Sequence, residues 1–212
     1  MSTFTELEAD VYSVLRDTTK TFVLSTEVKK WLNDGNLDLV ARTGRLRKAV
    51  TGTTSSTGTI DLPDDFIRLT SLYVYDDAVG LSQPPTHAED GQFLWYQNSE
   101  QLPATIIYRI FNGTIETYPA AISAAYSLEY VYAPAVMSTG SDVPELPFEM
   151  HVKIVYYARA QAKWKEGEET EGDRYWALYL DGIPSRGPDA GLRENPGPAT
   201  FLPVMTYWDN EL

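Results

Sequence analysis

The sequence predicts an α+β fold in which a bundle of about four helices carries an inserted antiparallel β domain and ends in an extended C-terminal arm. Apolar side chains recur at helical spacing over residues 148–164, and Pro147 suits the first turn of that helix. Asn112-Gly113 between two runs of β-branched and aromatic residues is typical of a β-hairpin. Five prolines after residue 182 disfavour regular structure in the last segment.

Two amphipathic helices are expected at the start of the chain. Thr3 and Glu6 have the spacing of a capping box, which predicts a first helix over about residues 3–18. A second helix is expected to begin at Ser25-Thr26 and to continue to about residue 43. Because glycine costs a helix interior about 1 kcal/mol relative to alanine, Gly35 indicates either close packing or a local break there.

A strand-rich block follows the second helix. Residues 51–58 consist of Thr, Ser and Gly, which predicts a loop at a hairpin tip. The runs 106–111 and 114–118 on either side of Asn-Gly predict a hairpin, and residues 125–132 alternate as a further strand. Residues 84–91 are expected to form a short helix or a loop.

The order of these elements divides the chain into four parts. The N-terminal helices of the bundle are expected within residues 1–45 and the β-rich domain within 46–140. The C-terminal helices of the bundle occupy 141–182 in this division, with Gly167 ending the long helix. A shorter helix is expected from Asp173 to Leu180. Residues 183–212 form the extended arm.

The composition excludes several classes of function. The chain has no cysteine, so disulfides, thiolate metal sites and a cysteine nucleophile are excluded. A net charge of −13 repels nucleic-acid phosphate and disfavours a protein that grips it, although acidity also simply favours solubility. The N-terminus has no apolar signal sequence and no apolar run is long enough to span a bilayer, which predicts assembly in a cytosol-like compartment without a membrane partner.

The sequence shows no catalytic constellation. His87 and His151 lack acidic residues at metal-ligand spacing, and no nucleophile elbow or phosphate-binding glycine loop occurs. Asp64-Asp65 follows a proline and is interpreted as a turn, not as an acid–base pair. The acids of residues 166–173 lack the spacing of an EF-hand loop and are interpreted as a solvated corner. We therefore expect no enzyme activity, no cofactor and no metal.

Aromatic side chains leave two interpretations open. Fourteen tyrosines and five tryptophans suit strand cores and protein interfaces, because such rings bury area while a polar atom finds a partner. Trp95 and Tyr96 also allow an alternative, a carbohydrate- or receptor-binding module of a virion tail. The arm ends in an apolar, aromatic segment that is expected to dock on its own body or on a partner, through Phe201, Leu202, Val204, Tyr207 and Trp208.

The succession of elements resembles the head-to-tail adaptor proteins of tailed bacteriophages. The resemblance spans most of residues 5–180 and rests on the order of several segments. These are the second helix, 27–43; the segment 60–69 with the aromatic strand around Tyr73 and Tyr75 after it; and 128–134, followed by 142–147 and the Tyr157-Ala-Arg-Ala160 helix with its acidic end.

The resemblance implies a structural role. Such adaptors form a ring, commonly a dodecamer, below the portal protein, and the ring's lower face accepts a stopper, nozzle or tail protein. The protein is then expected in the virion neck after assembly in the host cytoplasm, with DNA only as passing cargo. The C-terminal arm is expected to reach the portal. Acids lining a channel would ease the passage of DNA, and the acids assigned to that role are Glu166, Glu168, Glu169 and Glu171.

Overall fold

The computed structural model describes residues 2–16, 20–75, 85–99, 101–103 and 105–183. The chain divides into two compact units: a β unit, Arg47–Tyr132, and a helical unit formed by the residues on either side of it. The predicted α+β class is confirmed. In chain order the elements of the described residues are α1 (Phe4–Tyr12), α2 (Ser25–Thr43), β1 (Arg47–Thr53), β2 (Thr59–Asp61), β3 (Phe66–Tyr75), β4 (Thr86–His87), α3 (Asp90–Ser99), β5 (Ile107–Phe111), β6 (Thr114–Tyr118), β7 (Ala125–Tyr132), α4 (Phe148–Lys165) and α5 (Glu169–Leu180).

The first helix has the predicted start but ends early. The Thr3 backbone N–H donates to the Glu6 carboxylate at 2.8 Å, and the Glu6 N–H donates to the Thr3 hydroxyl at 3.3 Å, which completes the capping box. The prediction of a helix to residue 18 is wrong. After Tyr12 the chain continues in tight turns, in which the Leu15 N–H donates to the Tyr12 carbonyl, and the Tyr12 hydroxyl donates to the Val23 carbonyl. These bonds turn the chain back toward α2.

The second helix runs through Gly35 without a break and ends at Gly44, whose φ of 60° is left-handed. Gly35 is there for close packing. A Cβ built on it would lie 2.9 Å from the ring of Tyr157 in α4. Glycine lowers the helix propensity of α2 at this position, but only a residue without a side chain leaves room for Tyr157 of α4.

The long helix α4 is the centre of the helical unit, since it packs against α1, α2 and α5. Its predicted stripe of apolar residues is only partly the core face. Of the predicted residues, Val155 and Ala158 are buried, whereas Phe148 and Val152 are exposed. The last helix also begins earlier than expected, at Glu169 instead of Asp173.

The segment after the β unit belongs to the helical unit, although the sequence placed residues 133–140 with the strands. The Asn33 side chain of α2 holds the backbone of Met137 from both sides. Its amide donates to the Met137 carbonyl at 3.0 Å, and its carbonyl oxygen accepts from the Met137 N–H at 2.9 Å. The Phe4 N–H, at the start of α1, donates to the carbonyl of Asp142 at 2.7 Å.

The β unit contains two sheets. One has the strand order β1-β7-β3 and is antiparallel; the other has the order β2-β6-β5-β4. The predicted antiparallel domain needs a correction, because β4 pairs with β5 in parallel. The predicted hairpin is confirmed, with φ values of 47° at Asn112 and 74° at Gly113. The predicted loop 51–58 is shorter, since β1 extends to Thr53 along β7.

The larger of two apolar clusters in the described part of the β unit lies between its strands. Asp65, from the predicted turn, is part of its border: its carboxylate accepts hydrogen bonds from the hydroxyl of buried Tyr130 at 2.9 Å and from the Lys48 amine at 2.5 Å. Burial, together with Asp65, raises the pKa of Tyr130 to about 12. The larger fully buried side chains of this core are Ile60, Ile115, Leu128 and Tyr130.

Candidate interaction surfaces

The acids predicted to face a channel lie at the corner between α4 and α5. Lys163, which is 4% exposed, donates to Glu166 at 2.9 Å and to Glu168 at 2.8 Å. Arg16 adds a second cation, 2.8 Å from Glu168, and its backbone N–H donates to Glu166 at 3.1 Å. Two of the four predicted acids are therefore engaged in an internal ion-pair network.

The electrostatics of this network favour its charged form. Burial alone would lower the pKa of Lys163, but hydrogen bonds from its amine to Glu168 and Glu166 raise it above its ordinary value. The hydrogen bond from Lys163 in turn lowers the pKa of Glu168. Lys163 and its two acids are thus a fixed structural element of the corner.

The other two predicted acids, Glu169 and Glu171, lie in the first turn of α5, where negative charge favours the helix dipole. Glu169 is exposed and Glu171 is half-buried, with Arg174 at 3.7 Å. The ion pairs of Lys163 are with Glu166 and Glu168, not with these two carboxylates. The assignment of a channel to this corner stays a prediction.

A buried polar link fixes α5 against α2. The Tyr179 hydroxyl donates to the Asp38 carboxylate at 2.5 Å, and Arg42 Nε donates to the same oxygen at 2.6 Å. Burial raises the pKa of Tyr179, and so does the charge of Asp38. The second carboxylate oxygen of Asp38 is buried without a hydrogen-bond partner. Asp38 therefore depends strongly on the two donors that it has.

A lysine from α4 closes the C-terminal end of α5. Lys153 Nζ donates to the Leu178 carbonyl at 2.7 Å and to the Asp181 carbonyl at 2.6 Å. Carbonyls at a helix end lack partners within the helix, and a cation there also favours the helix dipole. The last described turn, up to Ile183, is therefore fastened to α4.

The first half of α4 presents apolar side chains to solvent. Phe148 is 61% exposed and Val152 is 44% exposed. Tyr156, one turn further along, is half-buried and its ring lies 6.3 Å from that of Tyr175 in α5. We define Phe148, Val152 and Tyr156 as the α4 patch. One feature of the sequence indicates such a patch. Apolar residues occupy more than one face of α4, whereas a helix that packs against the core on one side needs only one apolar face.

A second exposed apolar group lies where the chain enters α2. Phe22 is 53% exposed and Leu24 is 48% exposed. Lys165, at the end of α4, lies 5.1 Å from the Phe22 ring and donates to the Phe22 carbonyl at 2.8 Å. We define Phe22 and Leu24 as the α2-entry patch. Sequence analysis missed it because these residues lie outside any periodic run.

The β unit carries a separate exposed group on α3. Phe93 is buried against Tyr118, whereas its neighbours Leu94 and Trp95 point outward, with Trp95 52% exposed. The Trp95 ring contacts that of Tyr96 edge to face at 4.9 Å. An outward tryptophan is a common anchor of protein interfaces and of sugar sites.

The two histidines, which the sequence assigned to no site, lie in different environments. His87 is exposed on β4, and His151 is buried with its Nε2 2.9 Å from the Leu146 carbonyl. Within the described ranges, no cluster of three or more His, Asp or Glu has the arrangement of a metal site. None of the helices in those ranges is long and apolar enough to cross a membrane. The predicted arm residues Phe201, Leu202, Val204, Tyr207 and Trp208 lie outside the described residues.

Among known families, the model of a family described as SU10 adaptor protein matches residues 2–200, which include the β unit and most of the helical unit. Comparison with curated proteins returns no match.

Proposed function

Because the chain belongs to the SU10 adaptor protein family, we propose that it is a bacteriophage structural adaptor that forms a ring below the portal, joins head to tail and continues the DNA channel. The observation that carries the proposal is the family match, which extends over residues 2–200. The proposed partners are the portal protein, a stopper, nozzle or tail protein, and the chain itself in about twelve copies. The protein acts in the virion neck without catalysis and without a cofactor.

The build of the helical unit supports a ring. Identical copies close into a ring only if each presents two different surfaces in a fixed relative orientation. The contact of Gly35 with Tyr157 and the hydrogen bond from Tyr179 to Asp38 fasten α2, α4 and α5 to one another. We propose that these helices and α1 act as the packed bundle of the ring, while the β unit decorates it.

The composition of the arm supports a contact with the portal. Its end combines Phe201, Leu202 and Val204 with Tyr207 and Trp208. Aromatic residues of this kind dominate the affinity of many interfaces. The prolines before and within this segment restrict the unbound chain, so that less conformational entropy is lost on docking. The portal is the partner that the arm contacts in this proposal.

The acidic corner supports a passage for DNA. Glu169 and Glu171 are acids of the corner that Lys163 does not hold, and a net charge of −13 gives the chain a negative field. Carboxylates along a channel repel phosphate and prevent adhesion of the moving duplex. In this proposal Glu169 and Glu171 face the channel.

The test is co-expression with the portal protein encoded in the same genome, followed by native mass spectrometry and negative-stain imaging. We expect a complex with many copies of the chain per portal ring, and its mass gives the copy number. A chain that remains monomeric and does not associate with the portal would contradict the proposal.

A second candidate function is a carbohydrate- or receptor-binding module of the tail. The observation that favours it is the outward side chain of Trp95 on α3. A glycan array is the direct measurement, with Trp95→Ala as the variant that should lose binding. Tyr73→Ala, which removes an exposed aromatic ring from the β3 strand, is the matched control. Absence of binding across a broad array would count against this candidate.

A further inference from the structure

The helical unit presents two separate apolar patches, and we propose that they bind each other between neighbouring copies, the α4 patch of one copy against the α2-entry patch of the next. This inference rests on the proposed ring and names the surfaces that close it. The proposal of a ring does not specify which residues of neighbouring copies contact each other. The occupant of each patch is thus a second copy of this chain.

The first argument is the position of the two patches. The α4 patch begins at Phe148, the first residue of α4, and the α2-entry patch lies beside Lys165, the last residue. At 1.5 Å per residue the two ends are about 25 Å apart along the helix, and at 3.6 residues per turn Lys165 lies about 140° around the helix from Val152. The patches therefore lie at opposite ends and on different sides of α4, as a head-to-tail contact requires.

The second argument is charge complementarity. Exposed Glu149 adjoins Phe148 in the α4 patch. Exposed Lys20 lies two residues before Phe22 at the other patch. Glu27 also borders this second patch, but its carboxylate is already paired with Lys165 at 2.6 Å. Opposite charges at the rims of the two apolar centres, Glu149 and Lys20, would orient the encounter. Contact of each patch with its own counterpart across a two-fold axis would instead place Glu149 against Glu149, and a reciprocal two-fold contact between the unlike patches would stop at a dimer instead of continuing around a ring.

The third argument is the rigid path between the patches. Both are carried by helices that α4 holds together: Lys165 donates to Glu27 of α2 at 2.6 Å, and Arg159 donates to the Asp10 carbonyl of α1 at 2.7 Å. A fixed angle between two complementary surfaces determines the rotation from one copy to the next. That rotation is what allows a ring to close instead of extending as a filament.

The absence of cysteine allows a direct test by cross-linking. We would replace one residue of each patch in the full chain, Phe148→Cys with Leu24→Cys and, as a second pair, Val152→Cys with Phe22→Cys. Each variant is co-expressed with the portal and treated with a short bismaleimide. The expected result for at least one pair is a ladder of covalent oligomers whose largest member has the copy number of the ring.

The controls separate this proposal from its alternatives. Each single-cysteine variant should remain monomeric on a denaturing gel; a dimer from Phe148→Cys alone would show a two-fold contact and overturn the proposal. The matched pair Val136→Cys with Leu24→Cys uses another exposed apolar residue of the helical unit and should give no ladder. Portal-bound rings without a ladder from either test pair would overturn the patch contact and leave the adaptor function intact.

A charge exchange supplies an independent readout. Glu149→Lys should lower the portal-bound copy number at a fixed concentration several-fold, and Lys20→Glu in the same chain should restore it. Failure of the second change to restore assembly would contradict the complementarity. If the unaltered chain forms no ring with the portal, the proposed function fails first, and native mass spectrometry of that sample shows it.

Discussion

Gly35 of α2 lies directly against the ring of Tyr157 in α4, so that any Cβ at position 35 would be 2.9 Å from ring carbons. The ring of Tyr157 occupies the space that a side chain at position 35 would need. The glycine that weakens α2 as an isolated helix is the residue that admits Tyr157 into the core, where it also contacts Tyr179 at 5.4 Å between ring centroids.

We expect Gly35→Ala to destabilise the protein. Alanine gains about 1 kcal/mol in helix propensity, but the overpacking against Tyr157 costs about 1–3 kcal/mol. A net loss in the free energy of unfolding is therefore expected in urea titration. Gly91→Ala in α3 is the control, because nothing lies within 4 Å of its Cβ, and it should be neutral or stabilising. A Gly35→Ala protein at least as stable as the original would contradict the packing argument.

Tyr179→Phe should also destabilise the helical unit. The change removes one of two donors from the buried Asp38 carboxylate, which already has one oxygen without a partner. The expected loss is about 1–3 kcal/mol in the free energy of unfolding, measured by chemical denaturation. Tyr175→Phe on the same helix removes a half-buried hydroxyl and should change stability by less than about 0.5 kcal/mol. Equal effects of the two changes would show that the hydroxyl of Tyr179 has no special role.

The turn at residues 138–142, which accepts a hydrogen bond from the start of α1, should make the stability of the protein fall at acidic pH. Hydrogen bonds from the side chain and backbone of Thr139, with one from the Ser138 N–H, lower the pKa of Asp142 from 3.8 to about 2. Because the folded pKa is depressed, this contribution is present above about pH 4 and is lost as the pH falls toward about 2. Asp142→Asn should flatten the fall of the unfolding midpoint in that window.

Thr139→Val serves as the companion variant for the turn. It removes the Thr139 hydroxyl, which donates to the Asp142 carboxylate, and keeps the backbone donors. A partial flattening of the same pH profile is expected. An unchanged acid profile in both variants would show that Asp142 does not contribute to it.

Among the acids of the corner between α4 and α5, we expect Glu166 to be needed for stability and Glu171 not to be. Glu166→Gln removes one of the two carboxylates paired with buried Lys163 and leaves Glu168, so a loss of about 1–3 kcal/mol in the free energy of unfolding is expected. Glu171→Gln is the matched control in the first turn of α5 and should change stability by less than about 0.5 kcal/mol. Thermal unfolding of the two variants side by side is the measurement. Comparable losses in both would contradict the internal role of Glu166.

The arm should be required for portal binding. Deletion of residues 200–212, or the double change Tyr207→Ala with Trp208→Ala, should weaken binding of the chain to the portal at least about tenfold, as loss of aromatic anchors does elsewhere. Asp209→Ala with Glu211→Ala is the control in the same segment and should bind normally. Undiminished binding by the truncated chain, measured by interferometry on immobilised portal, would show that the arm is not the contact.

Sequence patterns predicted the local features well. The capping box at Thr3, the turn at Asn112-Gly113 and strand β7 follow from short-range chemistry, and all three are confirmed. The resemblance to phage head-to-tail adaptors, which rested on the order of the segments, is also confirmed by the family match.

The missed features depend on tertiary contacts. Helix α3 has apolar residues on opposite faces, with Phe93 inward and Trp95 outward. Its sequence therefore lacks the one-sided apolar pattern from which a helix is predicted. Exposure of Phe148 could not be inferred, because its spacing matches a core stripe equally well. In the sequence, Lys163 and Glu166 have the pattern of surface charges. Their burial follows from the tertiary contacts that bring Glu168 and Arg16 beside them.

The two hydrogen bonds from Lys153 to the end of α5 give the arm a fixed origin. Phe201 comes eighteen positions after Ile183 in the sequence, so a fully extended chain would reach at most about 65 Å from that point on the helical unit. In the proposed ring, capture of each arm by the portal would be an intramolecular event at an effective concentration on the order of millimolar. If the ring has the proposed twelve copies, twelve weak arm contacts would hold the proposed joint together by avidity, and the loss of a single arm would leave it intact.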